Sequence, residues 1–336
     1  MNAPAPFRSL AAGPFGRRQK RERGARIPVT VITGFLGAGK TTLLRHFLAT
    51  PEGSGTAVVV NEFGVAGIDD TLLRASSDET ELLGNGCVCC VTRTDLQLAL
   101  RRLVADRTRG AIPDFRRVVI ETSGLADPGP ILQTFATDRA LGGEFHVERV
   151  VTVADAATGA ATLERFAEPR RQAMLADLIV VTKTDLADPA PLEAKLRHLN
   201  PRAEFAAAHD GLLEPKLLTE PAAHDRNLFS ADAAHSDGVE SFVWSHEQPI
   251  AWPVFQRAME TLTSLRGADL LRAKGFLNVE GCQGPVLVQY VQHLAHPPVE
   301  LDAWPDASRF SRVIFITRGI SRQQFNDLVA AIAALT

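Results

Sequence analysis

Short apolar runs rich in β-branched residues recur at 29–33, 57–60, 117–120, 149–153 and 178–181, and most are separated by stretches with helical periodicity. Strands that are apolar at consecutive positions, rather than at alternate ones, are buried on both faces, so the pattern predicts a parallel sheet covered by helices on either side. Leu96, Leu100, Leu103 and Val104 fall on one face of a helix that Thr94 or Asp95 would cap, and Leu192, Leu196 and Leu199 repeat the spacing in a later crossover. This α/β domain is expected to span 27–220.

Residues 221–238 are rich in Ala, Asp, His and Ser and show no periodicity, which reads as a linker. The pattern then changes. Strands are expected at 239–245, 273–280, 285–292 and 312–317, with helices at 252–265 and 321–334, the second started by Ser321. That order predicts a smaller α+β domain over 239–336 with an antiparallel sheet, ferredoxin-like in its succession of elements.

A length of 336 residues suits two domains and a large core, and a net charge of −3 argues against broad binding to nucleic acid or to anionic lipid. No apolar run approaches the roughly 18 residues of a membrane-spanning helix. Four cysteines, three of them within four positions, do not make a disulfide framework of the secreted kind, so a reducing cytoplasm is the expected compartment. Residues 1–26 carry Arg17, Arg18, Lys20, Arg21, Arg23 and Arg26 without a following apolar run. They read as a solvated, disordered basic arm, with an organellar transit peptide as the alternative.

Against this background one segment stands out. Gly-Phe-Leu-Gly-Ala-Gly-Lys-Thr-Thr at 34–42 follows the first apolar strand and opens a helix, the Walker A pattern in its required context. Gly34, Gly37 and Gly39 let the backbone bend, so that N–H groups from Gly37, Ala38, Gly39, Lys40, Thr41 and Thr42 face phosphate oxygens at the positive end of a helix. An exposed Lys40 then reaches the β- and γ-phosphates, and Thr41 offers its hydroxyl to Mg²⁺.

Two further loops lie at strand ends. The apolar run into Glu121-Thr-Ser-Gly124 puts an acid at a strand tip, where it can serve Mg²⁺, through water given the length of the Glu arm, and a glycine whose N–H can sense a γ-phosphate. An exposed Glu that merely ends a strand is the plainer alternative. The run 178–181 leads into Thr182, Lys183, Thr184 and Asp185. A carboxylate there can accept both the N1–H and the N2–H₂ of guanine, a donor pair adenine lacks, which selects GTP.

Cys87, Cys89 and Cys90 crowd into one turn between these loops. Thiolates so placed suit a single soft or borderline ion, Zn²⁺ by default and Co²⁺ or Ni²⁺ by the same chemistry. Cys87 and Cys89 flank one residue, with Cys90 as an optional third thiolate; three ligands leave one tetrahedral position open, which suits an exchangeable ion better than a permanent structural one. A redox switch and simple packing are the other uses open to such thiols. Cys282, beside Gly281, reads as a packed or turn thiol.

Taken together, 34–42, Asn-Glu-Phe-Gly at 61–64 with Gly67-Ile68-Asp69, Gly-Cys-Val-Cys-Cys at 86–90, Glu-Thr-Ser-Gly-Leu-Ala-Asp-Pro at 121–128 and Thr-Lys-Thr-Asp at 182–185 closely resemble the CobW family. The resemblance extends to 271–275 and to the final strand and helix. It implies a P-loop NTPase domain with a CobW-type C-terminal domain, and a GTPase that takes part in metal trafficking. It matches Cys87, Cys89 and Cys90 to the family's metal-binding CxCC, and Lys40, Thr41, Glu121, Gly124, Lys183 and Asp185 to its nucleotide positions. The family often has Glu after Asn-Glu-Phe-Gly; here Val65 stands there, leaving Glu62 as the acid that could lend the metal an oxygen. Only scattered histidines, His209, His224, His235 and His246, replace the His-rich tract of many members. The expectation is a cytoplasmic GTPase metallochaperone with a client metalloprotein as partner and no nucleic acid or membrane. A small-molecule phosphotransferase and a thiol redox-sensing GTPase are its rivals.

Overall fold

A computed structural model describes residues 26–61, 96–219, 233–234, 239–301, 304 and 309–335. In the first domain the elements are β1 (Ile27–Gly34), α1 (Lys40–Leu48), β2 (Thr56–Asn61), α2 (Leu96–Thr108), β3 (Arg117–Thr122), α3 (Gly129–Thr137), α4 (Arg139–Glu144), β4 (Phe145–Asp155), α5 (Gly159–Arg165), α6 (Ala167–Met174), β5 (Leu178–Thr182), α7 (Ala190–Leu199), β6 (Glu204–Ala207) and α8 (Lys216–Thr219). The strands pair in parallel in the order β2-β3-β1-β4-β5-β6.

Both faces of this sheet are covered, as the apolar runs require. Val29 and Val31 turn to one side, against Leu100 and Leu103 of α2 and Leu132 and Phe135 of α3. Ile32, Val58, Val119 and Val151 turn to the other, against Leu43, Leu44 and Phe47 of α1. Strand β6 is absent from the sequence prediction, because its four residues are an edge strand with no fully buried position and so carry no apolar signature. Since β1 sits between β3 and β4, the strand order reverses beside it, and the loops after β1, β3, β4 and β5 gather at the carboxyl edge, where such sheets bind ligands.

The second sheet runs β11-β10-β9-β13-β8-β7, built from β7 (Ala233–Ala234), β8 (Val239–His246), β9 (Leu270–Leu277), β10 (Val286–Val291), β11 (Leu294–Ala295) and β13 (Ser311–Arg318), with β12 (Val299–Glu300) on β10. Helices α9 (Trp252–Arg266) and α10 (Arg322–Ala334) pack on it around Phe255, Met259, Phe315 and Phe325. Ser321 starts α10 with a reciprocal capping box to Gln324, as its position predicts. The ferredoxin-like expectation needs correction. β8, α9 and β9 do form a split βαβ unit, but the strand inserted between β8 and β9 is the last one, β13, and the second helix follows it. β13 takes the central place because Val313, Phe315 and Ile316 are all buried there.

The two domains meet at the amino edge of the parallel sheet. Arg272 of β9 donates to Asp177 at 2.8 and 3.0 Å and to the Leu175 carbonyl, Lys274 donates to the Glu148 carbonyl at 3.1 Å, and Gln289 donates to that of Val147 at 3.1 Å. Burial alone would raise the Asp177 carboxyl, but the charges of Arg272 and Lys274, with hydrogen bonds from Arg272 and the Val150 N–H, hold it far below the usual carboxylate range. His146 and His296 line one small interdomain hollow with Arg26 and Gln289. Burial, then the surrounding positive charge, lowers each imidazole to about 4.

Candidate nucleotide site

The loop after β1 is shaped by its glycines. Gly34 passes so close to β4 that a Cβ would overlap the Val153 carbonyl, and Gly39 enters α1 with φ of 94°, a left-handed value costly for any side chain. No side chain caps α1 and no acid occupies its first turn, so its N–H groups remain available to an anion. Lys40 corrects the expectation of an exposed lysine. It is 8% exposed, with Nζ folded over the loop onto the carbonyls of Gly34 (2.9 Å) and Phe35 (3.1 Å). Carbonyl oxygens hold the ammonium at the place where phosphate oxygens would compete for it.

Thr41 and Glu121 come together from separate elements: the hydroxyl at the start of α1 donates to Glu121 Oε1 at 2.6 Å. Glu121 is 5% exposed and pairs in register with Ile32, which excludes the reading of an exposed strand end. Below it Thr122 donates to Thr33 at 2.9 Å, tying β3 to β1. A hydroxyl and a buried carboxylate are hard oxygen donors of the kind Mg²⁺ takes. Gly124 follows, packed on the loop after β1 so closely that a Cβ would lie 2.6 Å from the Leu36 nitrogen.

The loop after β5 belongs to the same site. Buried Thr182 donates to the Ala38 carbonyl at 2.8 Å. Lys183 takes φ of 56° and its Nζ pairs with Asp155 Oδ2 at 2.6 Å. Asp185 is exposed, and no described residue pairs with its carboxylate. Thr42, also exposed, lies against the turn at Gly211. His209 contacts the Thr184 hydroxyl at 3.1 Å and His246 stacks on Trp244, so both have plain structural neighbours.

Two participants escape the sequence reading. Asp155 ends β4 and anchors Lys183; burial would raise its carboxyl, but hydrogen bonds from Lys183, the Ala157 N–H and Thr158, with the Lys183 charge, bring it below the ordinary value. Its signal was present, an acid closing an apolar strand as Glu121 does. Gln172 of α6 is wholly buried and donates to the carbonyls of Gly124 and Ala126, a role no motif announces.

Glu62, Cys87, Cys89 and Cys90 lie outside the described residues. Among the described residues no three His, Cys, Asp or Glu side chains gather as metal ligands. Cys282 is partly buried against the second core at a turn closed by its N–H on the Val279 carbonyl, and burial with nearby Glu300 pushes its thiol up to about 11. No helix among the described residues is long and apolar enough to cross a membrane.

Comparison with known proteins gives these loops a setting. Residues 28–207 match the CobW/HypB/UreG nucleotide-binding domain, and 239–333 match the Cobalamin synthesis protein cobW C-terminal domain. Zinc chaperone YjiA of Escherichia coli is 35% identical over 318 residues, covering 92% of this chain and 98% of that protein. Zinc chaperone CobW of Pseudomonas aeruginosa is 31% identical over 353 residues, covering 92% of each. The crystal structure of the Zn(II)-bound YjiA GTPase from E. coli matches with a TM-score of 0.66 at 32% identity, over 92% of this chain and 99% of that one. With both domain matches in the expected order and relatives aligned along nearly their whole length, the chain belongs to the CobW family of P-loop GTPases.

Proposed function

We propose that the chain takes up Zn²⁺ on Cys87, Cys89 and Cys90, and that GTP binding and hydrolysis control its release to a client metalloprotein recognised by the C-terminal domain. The observation that carries the nucleotide half is the meeting of Thr41 with Glu121 at 2.6 Å, beside a loop whose base-reading neighbour hangs from it through Thr182. Bound there, Mg²⁺ would neutralise charge on the β- and γ-phosphates. Lys40 would exchange its two carbonyl partners for phosphate oxygens, Gly124 would offer its N–H to the γ-phosphate, and Asp185 would accept from guanine while Asp155 keeps Lys183 beside it.

The zinc half is supported by the relatives, which are named as zinc chaperones, and by the chemistry of three thiols. In the chain the cysteines stand between Asn61, the last residue of β2, and Leu96, the first of α2, and β2 ends at the edge that holds the phosphate loops. The coupling we propose runs through this connecting segment.

The test is a titration of Zn²⁺ into reduced protein in its GTP-bound, GDP-bound and nucleotide-free forms. Gated delivery requires affinities that differ between states, on the usual scale of about 5- to 150-fold, with zinc altering GTP affinity by the same factor. Cys89→Ser should lose most of the zinc affinity and keep metal-free GTP binding, since a hydroxyl stays protonated where a thiolate would ligate. Equal zinc affinity in all three states would defeat the proposal.

A further inference from the structure

Helix α6 touches both halves of the molecule. On the nucleotide side Phe166, just before it, lays its ring against Phe35 of the phosphate loop, centroids 5.0 Å apart. Gln172 donates from Nε2 to the carbonyls of Gly124 (3.1 Å) and Ala126 (3.0 Å), and Arg171 reaches Asp127 at 3.5 Å. At its other end Met174 packs with Val239, Leu271 and Ile316 of the second domain, and the Leu175 carbonyl accepts from Arg272. One two-turn helix thus grips the loop after Glu121 and, a few residues on, the C-terminal sheet.

The placement of Gln172 is not that of a residue kept for packing. It is wholly buried, and among the described residues its Oε1 has no hydrogen-bond partner, an imbalance an apolar side chain would avoid. What the amide gains is the pair of loop carbonyls. Its own backbone is fixed as well, because the Gln172 carbonyl accepts from Thr152 at 2.8 Å. Gly124 in turn packs against Leu36 with no room for a Cβ, so movement of either loop is felt by the other. A cavity of about 30 Å³ lined by Phe35, Leu36, Leu163 and Gln172 lies between the phosphate loop and the helix.

We infer that Gln172 is a positioning residue for the γ-phosphate, setting where the Gly124 N–H stands, and that α6 passes the state of that contact to the C-terminal domain through Met174 and Leu175. The inference rests on the reading of Gly124 as the γ-phosphate sensor. It differs from gating of the cysteines, since it concerns the face a client would meet.

Gln172→Met keeps length and removes the donor. With Mg²⁺ present, affinity for the β,γ-imido analogue of GTP should fall about tenfold, the common scale of such coupling, while GDP affinity stays within twofold. A merely structural role would weaken both nucleotides alike. In the wild type, amide exchange across Leu270–Leu277 should differ between the analogue-bound and GDP-bound forms, and in the variant that difference should vanish. Should Gln172→Met fail to fold, exposed Arg171→Met removes a second tie of the same helix to the same loop and should give the same pattern at smaller size. A wild type that shows the difference and variants that keep it overturn the inference alone. A wild type whose exchange and affinity ignore the γ-phosphate overturns it together with the reading of Gly124.

Discussion

The Thr182 hydroxyl reaches the Ala38 carbonyl at 2.8 Å, so the loop that follows β5 is suspended from the loop that cradles phosphate. The ends of two strands that are not neighbours are joined there, and on the function proposed above the bond sets the spacing between the phosphate and base ends of a bound nucleotide. Thr182→Val keeps the shape and removes the donor. Loss of one neutral hydrogen bond is worth about 1 kcal/mol, so calorimetry should show GTP and GDP weakened alike by roughly fivefold. A loss confined to GTP would place Thr182 at the γ-phosphate instead.

Asp185 is expected to set base choice. Asp185→Ala should weaken GTP by roughly 1.5–3 kcal/mol, the range for hydrogen bonds to a charged partner, and leave ATP unchanged. Competition binding measures both, and equal wild-type affinity for ATP and GTP would refute the assignment.

Lys40→Ala should cut turnover by at least about 100-fold, as removal of a charge-stabilising donor does. Because Lys40 is buried on two carbonyls rather than free in solvent, a stability cost of about 1–3 kcal/mol should accompany it in urea denaturation, since charge-assisted hydrogen bonds are lost. Wild-type turnover in the variant would move the catalytic site elsewhere.

The domain seam should weaken in acid. His146 and His296, held down to about 4 by burial and then by positive neighbours, bind fewer protons in the folded chain than in the unfolded one. Their contribution is therefore complete above about pH 6.5 and drains away as the pH falls to about 4. Asp177, also depressed, adds its loss only below the ordinary carboxylate range. Denaturation free energy measured from pH 8 to 4 should be flat and then fall. His146→Gln with His296→Gln should flatten the fall above pH 4; an unchanged slope would exclude the two histidines as its source.

The phosphate loop, Glu121 and the 182–185 tetrapeptide were legible because each is a short pattern at the end of an apolar strand, and the spacing of those strands gives the sheet. Asp155 carries the same pattern but lacks a companion motif, so only its 2.6 Å contact with Lys183 reveals it. Gln172 was beyond reach for another reason. Its partners are backbone carbonyls 46 and 48 positions away, and a carbonyl leaves no mark in a sequence. The second sheet repeats the lesson: periodicity located β8, β9, β10 and β13, yet nothing in it says that the last strand takes the middle place.

Strand β4 sets a scale for the molecule. Its early residues, Val147, Glu148 and Val150, take part in the domain seam, and its last, Asp155, anchors Lys183. At about 3.3 Å per residue, those eight steps separate the seam from the nucleotide loops by roughly 26 Å. The strand is hydrogen-bonded on both sides, so it is a strut that does not shorten. Because the strut keeps its length, any movement at the nucleotide loops that reaches the C-terminal sheet does so by a shift of elements beside it, such as α6, and not by stretching of the parallel sheet.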